Sequence, residues 1–386
     1  MAVIEKVYLD YAATTPLDER VFQVMLPYFK DFFGNPSSVH EFGQIAEGAV
    51  ENARETVARC LNASPQEVVF TSCGTESDNL ALRGVAWAQR KRHGFCHILT
   101  TPIEHHAVLH TVNQLSEQGF EVEFLPVDSS GLVDPDAVKA LLRKDTALVS
   151  VIYANNEIGT INPVSEIGLV CRERNVPFHT DAVQAAAHLP IDVLQDNIDL
   201  LSIGAHKFYG PKGVGALYIR QGTPIEPVQT GGKQEGGLRA GTHNVPYIVG
   251  LAEALQITRN ELSVRSHRYI EMRDALIQCV LQTIPQTRLT GHPLQRLPNH
   301  ASFVFKDLDG NRLLMALDVA GYACSSGSAC KTGDPRPSEV LTAIGLSEEW
   351  ALGSLRVTLG RSTTPQIIEE FSAVLPELIR KQRSLS

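Results

Sequence analysis

The chain has 386 residues, 43% of them hydrophobic, with a formal net charge of −9 and seven cysteines. That length suits two packed domains, and the acidic balance argues against a broad nucleic-acid surface. No apolar run approaches the length of a membrane span, and the start, Met1-Ala-Val-Ile-Glu-Lys6, lacks a signal peptide's apolar centre. No two cysteines form a CxxC pair, so reduced thiols in a cytoplasmic compartment are expected rather than a disulfide framework.

Residues 17–33 read as one amphipathic helix, because Val21, Val24, Met25, Tyr28, Phe29 and Phe32 recur at helical spacing. Gly34-Asn-Pro-Ser-Ser38 ends it, and a second helix is expected to run to about Cys60. Short apolar runs then alternate with helical patterns. Strands are predicted at 68–71, 97–100, 122–125, 147–153, 178–181, 200–203 and 215–219, and helices from Thr75, from about Ala107, near 137–144 and after Pro163. Such alternation predicts an α/β fold, a mostly parallel sheet wrapped by helices. Ligands then bind beyond the carboxyl ends of the strands, where Gly74, His105, Asn155, Asp181 and Lys207 fall. The Gly-rich stretch from Gln229 to Asn244 carries Lys233, Arg239 and Thr242 but contains no P-loop and no GxGxxG. A long helix from near Pro246 leads to a smaller C-terminal unit with strands at 299–306 and 354–359 and helices at 310–320 and 364–380.

Three segments carry the chemistry. Leu200-Leu-Ser-Ile203 delivers His206 and Lys207 from the end of a buried strand, and an interior lysine suits a Schiff base because desolvation favours the neutral, nucleophilic amine. Asp181 ends another strand with Gln184 just beyond; a carboxylate there keeps a pyridine nitrogen protonated, so that the ring acts as an electron sink. Val68-Val-Phe-Thr-Ser-Cys-Gly-Thr-Glu-Ser-Asp78 reads as strand, turn and helix start, with Thr75 and Asp78 as a capping box and Gly74 and Thr75 at an anion site. Alone, each is an ordinary turn, cap or surface lysine. Together they point to pyridoxal 5'-phosphate. His106 and His110 are spaced i, i+4, but there is no HExxH, and no metal is expected.

The chain resembles the cysteine desulfurases of the NifS/IscS group, within the class V aminotransferase-like pyridoxal phosphate enzymes. The matching segments include Tyr8-Leu-Asp-Tyr-Ala-Ala-Thr-Thr-Pro16, Gly34-Asn-Pro-Ser-Ser-Val-His40, Asn155-Asn-Glu-Ile-Gly159, His179-Thr-Asp-Ala-Val-Gln184, Ala205-His-Lys207, Arg239-Ala-Gly-Thr242 and Ser325-Ser-Gly-Ser-Ala-Cys330, and they span almost the whole chain. The resemblance implies aminotransferase fold type I. A large cofactor domain (16–260) has a sheet of the seven-stranded type, and a small α+β domain (1–15 and 261–386) carries a mobile cysteine loop at about 323–337. It implies conversion of L-cysteine to L-alanine, with sulfur passing to Cys330 as a persulfide. It assigns Lys207 to the cofactor aldehyde, His105 to ring stacking and proton transfer, and Asn155 and His206 to the cofactor. Arg356 is assigned to the substrate carboxylate, with Arg361 as the nearby alternative. Between the two loop cysteines, Cys324 is expected at a strand end and partly covered, and the resemblance selects Cys330.

Thr242 is expected to reach the cofactor phosphate of a neighbouring copy, which implies a homodimer, and the sulfur acceptor to be a protein such as an iron–sulfur scaffold. The tail ends soon after Arg380, shorter than in relatives that dock such scaffolds, which sets that partnership in question. Gly204 departs from the Ser or Thr of many relatives, which shifts phosphate binding toward Thr75, His206, Thr242 and backbone N–H groups. Competing readings are a selenocysteine lyase, a transaminase of the same class, and a non-catalytic sulfur carrier.

Overall fold

The computed structural model describes residues 6–327 and 336–384. The chain opens with a short strand, β1 (Val7–Tyr8), and two short helices, α1 (Glu19–Met25) and α2 (Pro27–Lys30), where one helix across 17–33 is expected from the pattern. Asp18 starts α1 by accepting a bond from Arg20 N at 2.8 Å. Pro27, which has no N–H and crowds the preceding turn, starts a new helix after Leu26. Val21 and Met25 are buried, but Val24, Phe29 and Phe32 are exposed, so this chain leaves much of the apolar stripe uncovered.

After α3 (Glu41–Leu61) come β2 (Val68–Thr71), α4 (Gly74–His93), β3 (His97–Thr100), α5 (His106–Glu117) and β4 (Glu121–Phe124). The alternation continues through α6 (Pro135–Leu141), β5 (Thr146–Ser150), α7 (Val164–Glu173), β6 (Phe178–Asp181), β7 (Leu200–Gly204) and β8 (Gly215–Ile219). These strands form a seven-stranded sheet in the order β2-β8-β7-β6-β5-β3-β4. Only β8 runs against its neighbours. Apart from the edge strand β4, the strands are buried along their whole length; most of their residues are apolar, and β3 and β6 also bury His97, His179, Thr180 and Asp181. One face packs on Val50 and Val57 of α3 and Ile167 of α7, the other on Leu82 and Val85 of α4 and Val108 and Val112 of α5.

The rest of the chain begins with α8 (Val245–Thr283), followed by β9 (Thr287–Leu289), β10 (His300–Phe305), α9 (Gly310–Val319) and β11 (Tyr322–Ala323). It ends with α10 (Glu339–Ala343), α11 (Glu348–Ala351), β12 (Ser354–Thr358) and α12 (Pro365–Arg383). A small antiparallel sheet runs β12-β10-β9, and β1 pairs parallel with β11. Along α8, Ile257 belongs to the core of the large sheet, whereas Tyr269 belongs to a second core with Phe303, Leu355 and Phe371. A further cluster sets Ile103, Ile152 and Ile158, beyond the ends of β3 and β5, against Val304 and Trp350. That seam between the two sheets is where the candidate site lies. No helix among the described residues is long and apolar enough to cross a membrane.

Candidate active site

A cavity of about 290 Å³ at the carboxyl ends of the large sheet is lined by Gly74, Thr75, His105, Asp181, Gln184, His206, Lys207 and Arg356, together with Ala12, Ala13 and Asn156. A larger depression of about 710 Å³ lies beside Arg54 and Lys233, but Lys207, His105, Asp181 and Arg356 line the smaller one.

Lys207 follows β7, and its Nζ donates to Ala12 O at 2.6 Å and Ala13 O at 2.8 Å. Burial, aided by the positive charge of Arg356, lowers its pKa to about 8 against the pull of Asp181 and Asp10. Such an amine has a substantial neutral fraction near neutral pH. The Ala12 carbonyl also accepts from Gln184 Nε2 at 2.9 Å, and His206 Nδ1 lies 3.1 Å from Thr14 Oγ1. Ala12 and Ala13 therefore form one wall of the site. Backbone acceptors carry no side-chain signature, so the sequence does not announce this role.

Asp181 closes β6, and its Oδ1 accepts from Val183 N at 2.9 Å. His105 caps α5, with Nδ1 accepting from Ala107 N at 3.1 Å, which leaves Nε2 as the protonated nitrogen of a neutral ring. Burial lowers the His105 pKa, consistent with that neutral form. One ligand atom from each of Asp78, His105 and Asp181 lies within 4.8 Å of the other two. Asp78 and Thr75 do not form the expected capping box: Cys73 occupies the cap position without a side-chain bond, and Thr75 is exposed. Asp78 is instead buried in the next turn, with Oδ1 unpartnered and 3.6 Å from His179 Nε2. His179 is itself held near neutral polar groups, Ser150 Oγ at 2.9 Å and Ser202 Oγ at 3.0 Å, and burial brings it down to about 3. Burial, then the neighbouring Asp181, raise the Asp78 carboxyl well above its usual range. No cation beside Asp78 opposes that rise, which favours the protonated acid.

The first N–H groups of α4 have no intrahelical acceptor and face an anion site. A side chain at Gly74 would bring its Cβ within 2.5 Å of Val183 Cγ2, so the turn stays bare there. At Gly204 an added Cβ would lie 3.4 Å from Gly74 N, which is open contact distance. The residues fit a phosphorylated pyridine aldehyde. The α4 turn would hold the phosphate, Asp181 the ring nitrogen, His105 the ring face, and Lys207 the aldehyde carbon.

Arg356 of β12 donates to Asp10 Oδ1 at 2.8 Å and to Asn156 O at 2.9 Å, while its buried Nε has no partner. A bound carboxylate would supply that missing acceptor. Arg361, the alternative, pairs with Asp18 and with Glu261 and lies over the Tyr209 ring, outside the cavity. Asn155 does not line the cavity either. It is fully buried, with Nδ2 bonded to Ile103 O at 2.8 Å and Oδ1 accepting from Glu157 N and Ile158 N at 2.8 and 3.0 Å. It shapes the turn that brings Asn156 to the cavity wall.

The flanks of the cysteine loop are tied down close by. Arg356 N donates to Ser325 O at 2.7 Å, and Ser338 Oγ donates to Glu157 Oε2 at 2.5 Å. Gly327 and Arg336 line a neighbouring recess that shares His105 and Asn156 with the cavity. Cys324 follows β11 and is partly covered, and burial pushes its thiol up. Cys330 lies outside the described residues. Thr242 is exposed and does not line this chain's cavity.

The family model described as aminotransferase class-V matches residues 7–371. This chain belongs to that family. A protein named cysteine desulfurase IscS from Methanosarcina thermophila is 49% identical over 380 residues, covering 98% of this chain and 93% of its own length. A solved structure titled NifS-like protein superposes with a TM-score of 0.91 at 39% identity, over 97% of this chain and 99% of that one. Another, titled SspA in complex with cysteine, gives 0.81 at 38% identity, over 91% and 98%. Class V membership agrees with the large, mostly parallel sheet.

Proposed function

We propose that this chain is a cysteine desulfurase that uses pyridoxal 5'-phosphate to convert L-cysteine to L-alanine and transfers the sulfur to Cys330. The observation that carries the reading is the convergence of the Lys207 amine, the Asp181 carboxylate and the Arg356 guanidinium on one cavity. When bound, the cofactor supplies an aldehyde carbon that joins covalently to amines and a ring that withdraws electrons.

This chain's residues would divide the remaining work. Arg356, held by Asp10 and by Asn156 O, orients the substrate carboxylate. Lys207, with a pKa near 8, is suited to take the Cα proton. His105, neutral with its proton on Nε2, would lie against the ring face, and the proton taken up by Lys207 is the one available to the carbon from which sulfur departs. The Cys330 thiolate attacks the substrate sulfur; the carbon–sulfur bond breaks, its electron pair stays with the carbon fragment, and Cys330 is left as a persulfide. The described flanks support this delivery, because Gly327 stands at the recess and three residues of chain span at most about 10 Å.

The natural partner is a second copy of the chain, in keeping with the exposed Phe22, Phe29, Phe32 and Phe33. The acceptor of the Cys330 sulfur is proposed to be a protein such as an iron–sulfur scaffold. A cytoplasmic location is proposed on the unpaired cysteines Cys60, Cys73, Cys96, Cys171, Cys279 and Cys324.

Two variants test the assignment. Borohydride reduction of the loaded protein should fix the cofactor to the peptide containing Lys207, and Lys207→Ala should abolish that label. Cys330→Ala should still bind cofactor and cysteine but release no sulfide. Sulfide release at the wild-type rate from Cys330→Ala would refute the nucleophile.

A further inference from the structure

Residues 229–244, between β8 and α8, hold a buried ion-pair network that the cavity does not use. Arg54 of α3 donates through Nη1 and Nη2 to the two oxygens of Glu235, each at 2.8 Å. The same carboxylate accepts from Phe70 N of β2 at 2.8 Å and from His243 Nε2 at 2.6 Å. Arg54 also donates to Val68 O, again on β2, at 2.6 Å. Glu235 has φ 48° and ψ 44°, the left-handed region, which a residue with a side chain keeps only where its surroundings hold it. A second tie joins Arg239 Nε to Glu76 Oε1 at 2.8 Å, and Glu76 accepts from Ser72 N at 2.6 Å. The loop is thus fastened to the strand and the helix start that form the phosphate turn. Thr242 precedes the clamped His243 and is exposed.

We propose that Glu235 is a positioning residue for cofactor binding across a subunit boundary: clamped by Arg54 and His243, it sets where Thr242 meets the phosphate held by a second copy of the chain. The proposal rests on the reading of Thr242 as a phosphate contact between copies. Bidentate pairing fixes direction as well as distance, which a positioning role requires and a surface ion pair does not provide. Although burial alone would raise it, the bonds from Arg54 and His243 bring Glu235 down to about 2, so the clamp stays ionised through the working pH range.

The test compares pyridoxal 5'-phosphate with pyridoxal, the same ring without the phosphate. Affinities of both are measured on full-length, cofactor-free wild type, Glu235→Gln, Thr242→Ala and the double variant. Glu235→Gln should weaken binding of the phosphorylated ligand by about tenfold while leaving pyridoxal unchanged. Thr242→Ala should lose the same preference, and the double variant should lose no more than the larger single effect. Glu235→Asp, which keeps the charge but shortens its reach, should show the same phosphate-selective loss and serves if the Gln variant does not fold. Equal loss for both ligands, or no loss, overturns the proposal. If Thr242→Ala keeps the full preference, the Thr242 reading fails and the proposal with it. If Thr242→Ala loses the preference and the Glu235 variants do not, the proposal alone fails.

Discussion

Asp78 and Asp181 stand close enough to contest one proton, and their surroundings decide which keeps it. Burial raises both carboxyls, but His105, the Val183 N–H and Lys207 pull Asp181 back, whereas Asp181, Glu104 and Cys73 push Asp78 further up against Ser202. His179, the remaining neighbour, is neutral. Of the two, Asp181 is the better placed to ionise, and it would sit against a protonated ring nitrogen when the cofactor is bound. In the unfolded chain Asp78 titrates near 3.8, and in the fold well above it. Folding therefore takes up a proton between those two values, and stability falls as pH rises through that window. Asp78→Asn is neutral throughout and escapes the fall. Melting scans from about pH 4 to about pH 8 should show the variant gaining on wild type as pH rises. A constant difference would mean that Asp78 is an ordinary ionised carboxylate. At this scale the sequence is only partly legible. Lys207 and Asp181 stand out by type and position, whereas Arg356 is reached through the resemblance, and nothing in Asn155-Asn156 tells which residue lines the cavity, because a turn decides it.

The phosphate turn and β7 meet at Gly204, and here an element carries its own prediction. Gly204 has φ −134° and ψ 122°, ordinary extended geometry, and an added Cβ would stand 3.4 Å from Gly74 N. Serine therefore enters without strain and places a hydroxyl beside the anion site. Gly204→Ser should tighten pyridoxal 5'-phosphate binding by about tenfold, the scale of one hydrogen bond to a charged group. Unchanged or weaker affinity in equilibrium dialysis would show that the phosphate lies elsewhere. β2 and β7, which flank this turn, are legible because strands buried on both faces are mostly apolar. The helix expected at 17–33 was not, because spacing alone does not reveal that Pro27 restarts the chain or that its stripe faces outward. The capping box failed for a related reason: Thr75 and Asp78 fit the pattern, but burial draws Asp78 inward, one helical turn past the cap.

The whole molecule is organised by two cores that share one helix, with the cavity where their sheets meet. Buried residues along α8 pass from the first core at Ile257 to the second at Tyr269, the span in which we place the division between the proposed domains. The exposed stripe of α1 and α2 continues toward the 229–244 loop, since the Phe29 ring lies 6.0 Å from Tyr247 near the start of α8. A second copy seated there would cover the apolar face and bring Thr242 to a neighbouring cavity. Phe29→Asp combined with Phe33→Asp should shift the mass measured by light scattering from two chains to one and cut desulfurase activity by about tenfold or more, as expected if a phosphate contact is lost. An unchanged mass would place the interface elsewhere. The large sheet is legible from alternation, whereas β9 of the small sheet and the pairing of β1 with β11 depend on tertiary contacts of strands of two or three residues that no pattern marks.

The most direct test of the central claim is a product count. The protein, loaded with pyridoxal 5'-phosphate, is incubated with L-cysteine and a thiol reductant, and alanine, sulfide and keto acid are measured together. Alanine and sulfide in equal amounts, both lost in Lys207→Ala, are predicted. Keto acid without sulfide would contradict the account.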